Sequence, residues 1–198
     1  MLIRVPLLFA FPLLSHLAVA LHQPWLQCAS LACAYAGVFL DPLRRGGAGA
    51  WLGLAALVGA DLALQRLGQG AYLLYLPSLF IPALVLSAFA PTVLPGRVPL
   101  VTRIADSVNG PLSPAQLRYT RGVTWVWVIT LVGILLTSAS LMLFWSREAW
   151  SLFANLISYL LLGALFLGEF LVRRVRFPDK TPRSLRDFLR SMSSYRPH

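Results

Sequence analysis

The chain has 198 residues, 58% of them hydrophobic and 12% charged, with a mean hydropathy of +0.71; a soluble domain is nearer one quarter charged. That composition excludes an ordinary soluble enzyme and describes a polytopic membrane protein, all-α because helices satisfy their own backbone hydrogen bonds in lipid. A net charge of +10 could suggest nucleic acid, but 16 of the 17 basic residues are Arg and nearly all lie in segments flanking apolar runs. Anionic lipid head groups are the expected partner and nucleic acid is not, since a basic residue beside an anionic leaflet gains about 1 kcal/mol.

Six apolar runs predict spans at about residues 5–21, 25–40, 50–64, 71–94, 123–144 and 149–172, a helical bundle within a transmembrane domain of residues 1–176. A basic tail, residues 177–198, follows. Arg4, the apolar run and Ala18-Val19-Ala20 imitate a cleavable signal peptide. Charge argues for an uncleaved first helix. With both termini cytoplasmic, fifteen of the seventeen basic residues fall inside and only Arg66 and Arg147 outside, as the positive-inside rule requires.

The first three runs are short, which suits thin or shielded helices. Pro6 and Pro12 in the first, and Pro77, Pro82 and Pro91 in the fourth, remove backbone donors and predict kinks. Cys28 and Cys33 lie in one apolar run, five residues apart, and read as small packing residues. No disulfide, metal site or cofactor is expected from them. Small residues four apart (Ala32 and Ala36, Ala55 and Gly59, Ala56 and Ala60) permit close helix contact.

Residues 95–121 form the one long polar interval before the tail, read as a cytoplasmic loop carrying Arg97, Arg103, Arg118 and Arg121. Leu100, Ile104 and Val108 share a helical face and Asn109-Gly110 gives a stop, so a short helix lying at the membrane surface is predicted. Ser113-Pro114-Ala115-Gln116 reads as a capping box that starts a helix running unbroken into the fifth span, as a rigid arm. Trp125, Trp127, Trp145, Trp150, Tyr119 and Tyr159 near the ends of the last two spans read mostly as interfacial anchors. Arg173, Arg174 and Arg176 form a stop-transfer cluster. Thr181-Pro182 then starts a predicted amphipathic helix with Arg183, Arg186 and Arg190 on its polar side.

Three residues invite a chemical reading. An ionisable group at membrane depth is costly, about 2.5–3.5 kcal/mol on insertion scales, and therefore a candidate for function. Glu169, four residues before Arg173, reads as half of a helical ion pair. Asp61 lies toward the outer end of its span with Arg66 nearby, where it can reach the interface. With His16 it would form an acid/base pair if the two helices touch, but a packing or hydrogen-bonding role for each is the reading one His and one Asp on different spans favour. No nucleophile elbow, zinc-binding helix, P-loop or carboxylate cluster accompanies them.

Pro99-Leu100-Val101-Thr102-Arg103, Leu112, Arg118-Tyr119-Thr120-Arg121, Thr124-Trp125, Trp150-Ser151-Leu152-Phe153 and Glu169-Phe170-Leu171-Val172-Arg173-Arg174 resemble a family of small bacterial inner-membrane proteins. Its genes often lie near those for aryl-polyene biosynthesis, and the pattern is distantly similar to the intracellular septation protein A family. The resemblance covers about residues 96–176. It implies a multi-pass inner-membrane location and a part in envelope biogenesis, and supplies no catalytic residues. The basic tail departs from the septation-protein pattern.

The expectation is thus a non-enzymatic scaffold or accessory factor of cell-envelope or lipid biogenesis. It would dock anionic lipid, or protein partners of envelope biogenesis, through Arg97, Arg103, Arg118, Arg121, Arg173, Arg174, Arg176, Arg183, Arg186 and Arg190. The alternatives are a membrane-embedded lipid- or acyl-modifying enzyme using His16 and Asp61, and a small lipid transporter or flippase.

Overall fold

A computed structural model describes residues 4–178. The chain is helical, with no strand among the described residues: α1 (Arg4–Ala20), α2 (Pro24–Val38), α3 (Leu40–Arg44), α4 (Ala48–Arg66), α5 (Ala71–Phe89), α6 (Leu100–Asn109), α7 (Pro114–Phe144), α8 (Arg147–Leu152) and α9 (Ser158–Arg176). A 3₁₀ turn, Ala90–Val93, follows α5, and a π-helical turn, Phe153–Ile157, joins α8 to α9. The predicted tail helix, with Arg183, Arg186 and Arg190, lies outside the described residues.

Four helices are long and apolar enough to cross a membrane: Ala48–Arg66, Tyr72–Val93, Pro114–Phe144 and Arg147–Arg176. The first two predicted spans are shorter. α1 and α2, with 17 and 15 residues, extend about 25 and 22 Å, less than the roughly 30 Å of hydrocarbon in a typical bilayer. Pro12 lies inside α1, and Pro77 and Pro82 inside α5, without interrupting the helical winding. Only Pro91 coincides with its end, at the start of the 3₁₀ turn.

The chain divides into two compact units, the first comprising residues up to Ile81 with Leu136–Tyr159 and the second Pro82–Leu135 with residues from Leu160 onward. In the first unit α1 packs along α2, α2 along α4, and α1 also against α8 and the π turn. Phe11, Leu31, Leu74, Trp150 and Ala154 form its apolar centre. Trp150 is 1% exposed and meets Tyr75 edge-on at 4.3 Å. This corrects the anchor reading for Trp150: an indole this enclosed packs the core, whereas Trp145, 69% exposed, remains outside.

Two polar ties set the register of α2 against α4. Tyr35 donates to the Ala50 carbonyl at 3.0 Å, while at the other end of α2 Gln27 reaches Asp61 and the Gly70 carbonyl. The close contacts use glycines other than those in the predicted small-residue pairs. A Cβ at Gly37 would sit 2.7 Å from Leu8 Cδ2, and one at Gly53 would collide with the Tyr35 hydroxyl, whereas Gly59 has open space around it.

In the second unit the loop signals take the predicted form. The backbone N–H of Ser113 donates to Gln116 Oε1 at 2.9 Å and that of Gln116 to Ser113 Oγ at 3.4 Å, the reciprocal capping box. From there α7 runs 31 residues without a break. Gly110 ends α6 with φ +69°, a conformation a Cβ would strain. α6 starts where Leu100 N–H donates to Thr92 Oγ1 at 3.0 Å, and Thr102 and Thr120 share a 2.7 Å hydroxyl contact between α6 and α7. Among the described side chains of α6, Val101, Thr102 and Ala105 are buried, beside the predicted Leu100, Ile104 and Val108 row. The threonine contact turns the buried residues inward and leaves Val108 37% exposed.

Replacing Gly37 by Val is expected to lower the unfolding midpoint of the detergent-solubilised protein by the equivalent of about 1–3 kcal/mol, the usual cost of overpacking. Gly59→Val, made where nothing is in reach, should stay within about 0.5 kcal/mol.

Candidate functional sites

Asp61 is completely buried, on the side of α4 that faces α2. Gln27 Nε2 donates to its Oδ1 at 2.5 Å and to the Gly70 carbonyl at 2.6 Å. Gln65 Nε2, one turn along α4, donates to Oδ2 at 2.6 Å, and the Cys28 thiol donates to the same oxygen at 2.9 Å. Three converging donors replace the water that the carboxylate has lost, which is the condition for keeping such a group inside a protein. Asp61 thus has a hydrogen-bonding, structural place, with Gln65 rather than Arg66 as its partner on α4; Arg66 is exposed. The packing reading of Cys28 is corrected, since its thiol is a donor in this network.

His16 belongs to a different network. Its Nδ1 lies 3.3 Å from Ser151 Oγ, as donor or acceptor according to the tautomer, and Asn155 Nδ2 donates to the same Oγ at 3.1 Å. Asn155 stands on the π turn, where Ser158 Oγ donates to the Phe153 carbonyl at 2.7 Å. Such widened turns recur where a side chain must be re-aimed. The His16–Ser151 arrangement superficially has a base beside a hydroxyl. Ser151 is nonetheless fully enclosed and offers no surface to a substrate, so the trio acts as a hydrogen-bonded link from α1 to the helix containing Ser151.

Among the described residues no hydrogen bond joins His16 to Asp61, and no group of three His, Cys, Asp or Glu side chains converges as metal ligands. Gln27, Cys28, Gln65, Ser151 and Asn155 were the partners that sequence reasoning missed. The i,i+4 spacings of Asp61 to Gln65 and Ser151 to Asn155 are the only local signals that could have pointed to them.

The second unit holds the basic residues. Arg97, Arg103, Arg118, Arg121, Arg174 and Arg176 are exposed, and Arg173 pairs with Glu169, its Nε 2.8 Å from Oε1. That confirms the helical ion pair read from the sequence. The described part of this unit carries seven arginines against two acids, Asp106 and Glu169.

The first turns of α7 lie beside the last turns of α9, where the Tyr119 hydroxyl donates to the Glu169 carbonyl at 3.4 Å and the Arg176 guanidinium sits 5.9 Å from the Tyr119 ring centre. At 31 residues α7 is about 46 Å long, roughly 15 Å more than the hydrocarbon it would cross. The surplus is available for Arg118 and Arg121 to stand at head-group depth.

The chain matches no family model, no curated protein and no solved structure.

The two buried networks make opposite forecasts from a shared acid/base site. Asp61→Ala should cost about 1–3 kcal/mol by leaving the Gln27 and Gln65 amides short of an acceptor. The double variant of Asp61→Ala with His16→Ala should then equal the sum of the single effects within about 0.5 kcal/mol. Thermal unfolding of the three variants measures this, and a larger coupling would show that the networks communicate.

Proposed function

We propose that the protein is an inner-membrane accessory factor of cell-envelope or lipid biogenesis, non-enzymatic, whose basic cytoplasmic face engages anionic lipid head groups or the protein partners of that machinery. The observation that carries this reading is the concentration of exposed arginine in one unit, with Arg118, Arg121, Arg174 and Arg176 on the paired ends of α7 and α9. Arginine presents several donors in a fixed fork and suits phosphate oxygens. The resemblance of residues 96–176 to envelope-associated inner-membrane proteins agrees with it.

Six spans, with both termini cytoplasmic, complete the reading. The Gln27 bond to the Gly70 carbonyl supports the two short spans. It ties the first turn of α2 to the loop after α4, and the Tyr35 bond ties the other end of α2 to the first turn of α4. α2 thus runs beside most of a helix long enough to cross. The competing enzyme and transporter readings draw less support, because Asp61 and His16 are each engaged in separate buried networks.

Complementation of a deletion strain, with envelope lipids as readout and membrane expression checked, tests the proposal. A quadruple variant replacing Arg97, Arg103, Arg121 and Arg174 by Gln is expected to fail, while Asp61→Asn should retain function if it accumulates normally. The reverse pattern would place the working part in the buried network and overturn the reading.

A further inference from the structure

A groove of about 540 Å³ runs between α7 and α9 within the second unit. Two helical rows line it. On α7, Arg118, Gly122 and Val126 follow one another at i,i+4 spacing; on α9, Arg176, Val172, Gly168 and Ala164 do the same in the opposite chain direction. Read from the shared end inward, each row passes from arginine to small and apolar residues. Val126 and Ala164 lie about 12 and 18 Å along their helices from the arginines.

The groove is open where its two glycines line it. A Cβ added at Gly122 or Gly168 would meet nothing within 4 Å, so the space is open up to the backbone. Its mouth is positively charged. The one acid on the lining, Glu169, is engaged by Arg173, and among the described residues neither Arg118 nor Arg176 has an acidic partner. Arg176 is held over the Tyr119 ring, which keeps its guanidinium at the rim.

We infer that this groove is a binding site for one anionic phospholipid of the surrounding membrane, an acyl chain lying on Gly122, Gly168 and Ala164 and its phosphate held between Arg118 and Arg176. A neutral, apolar occupant would leave both guanidiniums without a counter-charge, and a soluble anion would leave the apolar trough uncovered. An anionic head group on a hydrocarbon chain answers both parts, and a phospholipid is the amphiphile of that kind that a membrane supplies. The inference rests on the proposed lipid-engaging role of the basic face and narrows it to one site with one lipid.

Native mass spectrometry of the full chain in detergent, with phosphatidylglycerol and phosphatidylcholine added in competition, tests it. The expected result is one retained phosphatidylglycerol, preferred by about tenfold or more. Gly122→Leu and Gly168→Leu, which fill the trough, and the double variant Arg118→Gln with Arg176→Gln, which discharges the mouth, should each abolish that preference while the unfolding midpoint of the leucine variants holds. Soluble glycerol phosphate should not displace the lipid.

Equal retention of the two lipids by the native chain, undiminished retention by the leucine variants, or displacement by glycerol phosphate would each overturn the inference. The wider reading is judged separately by the quadruple arginine variant, none of whose positions lines the groove. Failure of the groove variants alone to change lipid retention leaves that reading standing, and normal complementation by the quadruple variant removes it whatever the groove binds.

Discussion

The Asp61 carboxylate can be buried only if other groups take over the hydrogen bonds that water supplied, and that requirement organises the first unit. Gln27 and Cys28 come from α2 and Gln65 from the same helix as the acid, so the donors are assembled only when α2 and α4 lie side by side in one register. A slip by one residue would rotate Gln27 and Cys28 off the carboxylate and leave it buried with Gln65 of its own helix as the remaining donor, a loss that costs more than the paired state gains. The Gln27 amide also closes the loop at Gly70, so one side chain fixes both a helix pair and the turn that follows it. At the far end of the pair Gly53 has no side chain, which lets the Tyr35 hydroxyl reach the Ala50 carbonyl.

A different constraint shapes the second unit, namely the thickness of hydrocarbon against the length of helix. α7 is longer than a membrane core by several turns, and the capping box at Ser113 and Gln116 gives it a defined start well before the apolar stretch begins. The result is a pair of helix ends, joined through Tyr119 and Glu169, on which arginines can be displayed without passing through lipid. Between those ends the glycines leave a trough with a cationic mouth. Charge and an apolar slot therefore coincide at one place, and the proposed lipid-directed role rests on that coincidence.

Local signals were read well where the physics is local. The capping box, the Gly110 stop, the Glu169–Arg173 pair and the long unbroken helix from Pro114 each depend on residues within a few positions of one another. Readings that depended on which face of a helix meets a neighbour were less secure. A structural role for Asp61 is legible, but not that α4 turns it toward α2; Trp150 reads as an anchor, yet it fills the core. A hydrogen-bonding role for His16 is legible, but not its partner, Ser151, 135 residues away. Gln27 carries no mark within an apolar run of sequence and Cys28 reads there as a packing residue, because an isolated amide or thiol is unremarkable until a carboxylate stands opposite.

What the sequence determined by itself was the class of molecule: apolar runs separated by arginine, helical because lipid supplies no backbone partners, with caps and stops written in short motifs. Tertiary structure alone decided which polar groups meet. It put Asp61 under Gln27, Cys28 and Gln65, sent His16 to Ser151, and opened a trough between α7 and α9. The reason is geometric. A helix fixes neighbours three and four residues apart, but the rotation of one helix about its axis against another is set by packing along its whole length, and no short motif encodes that angle.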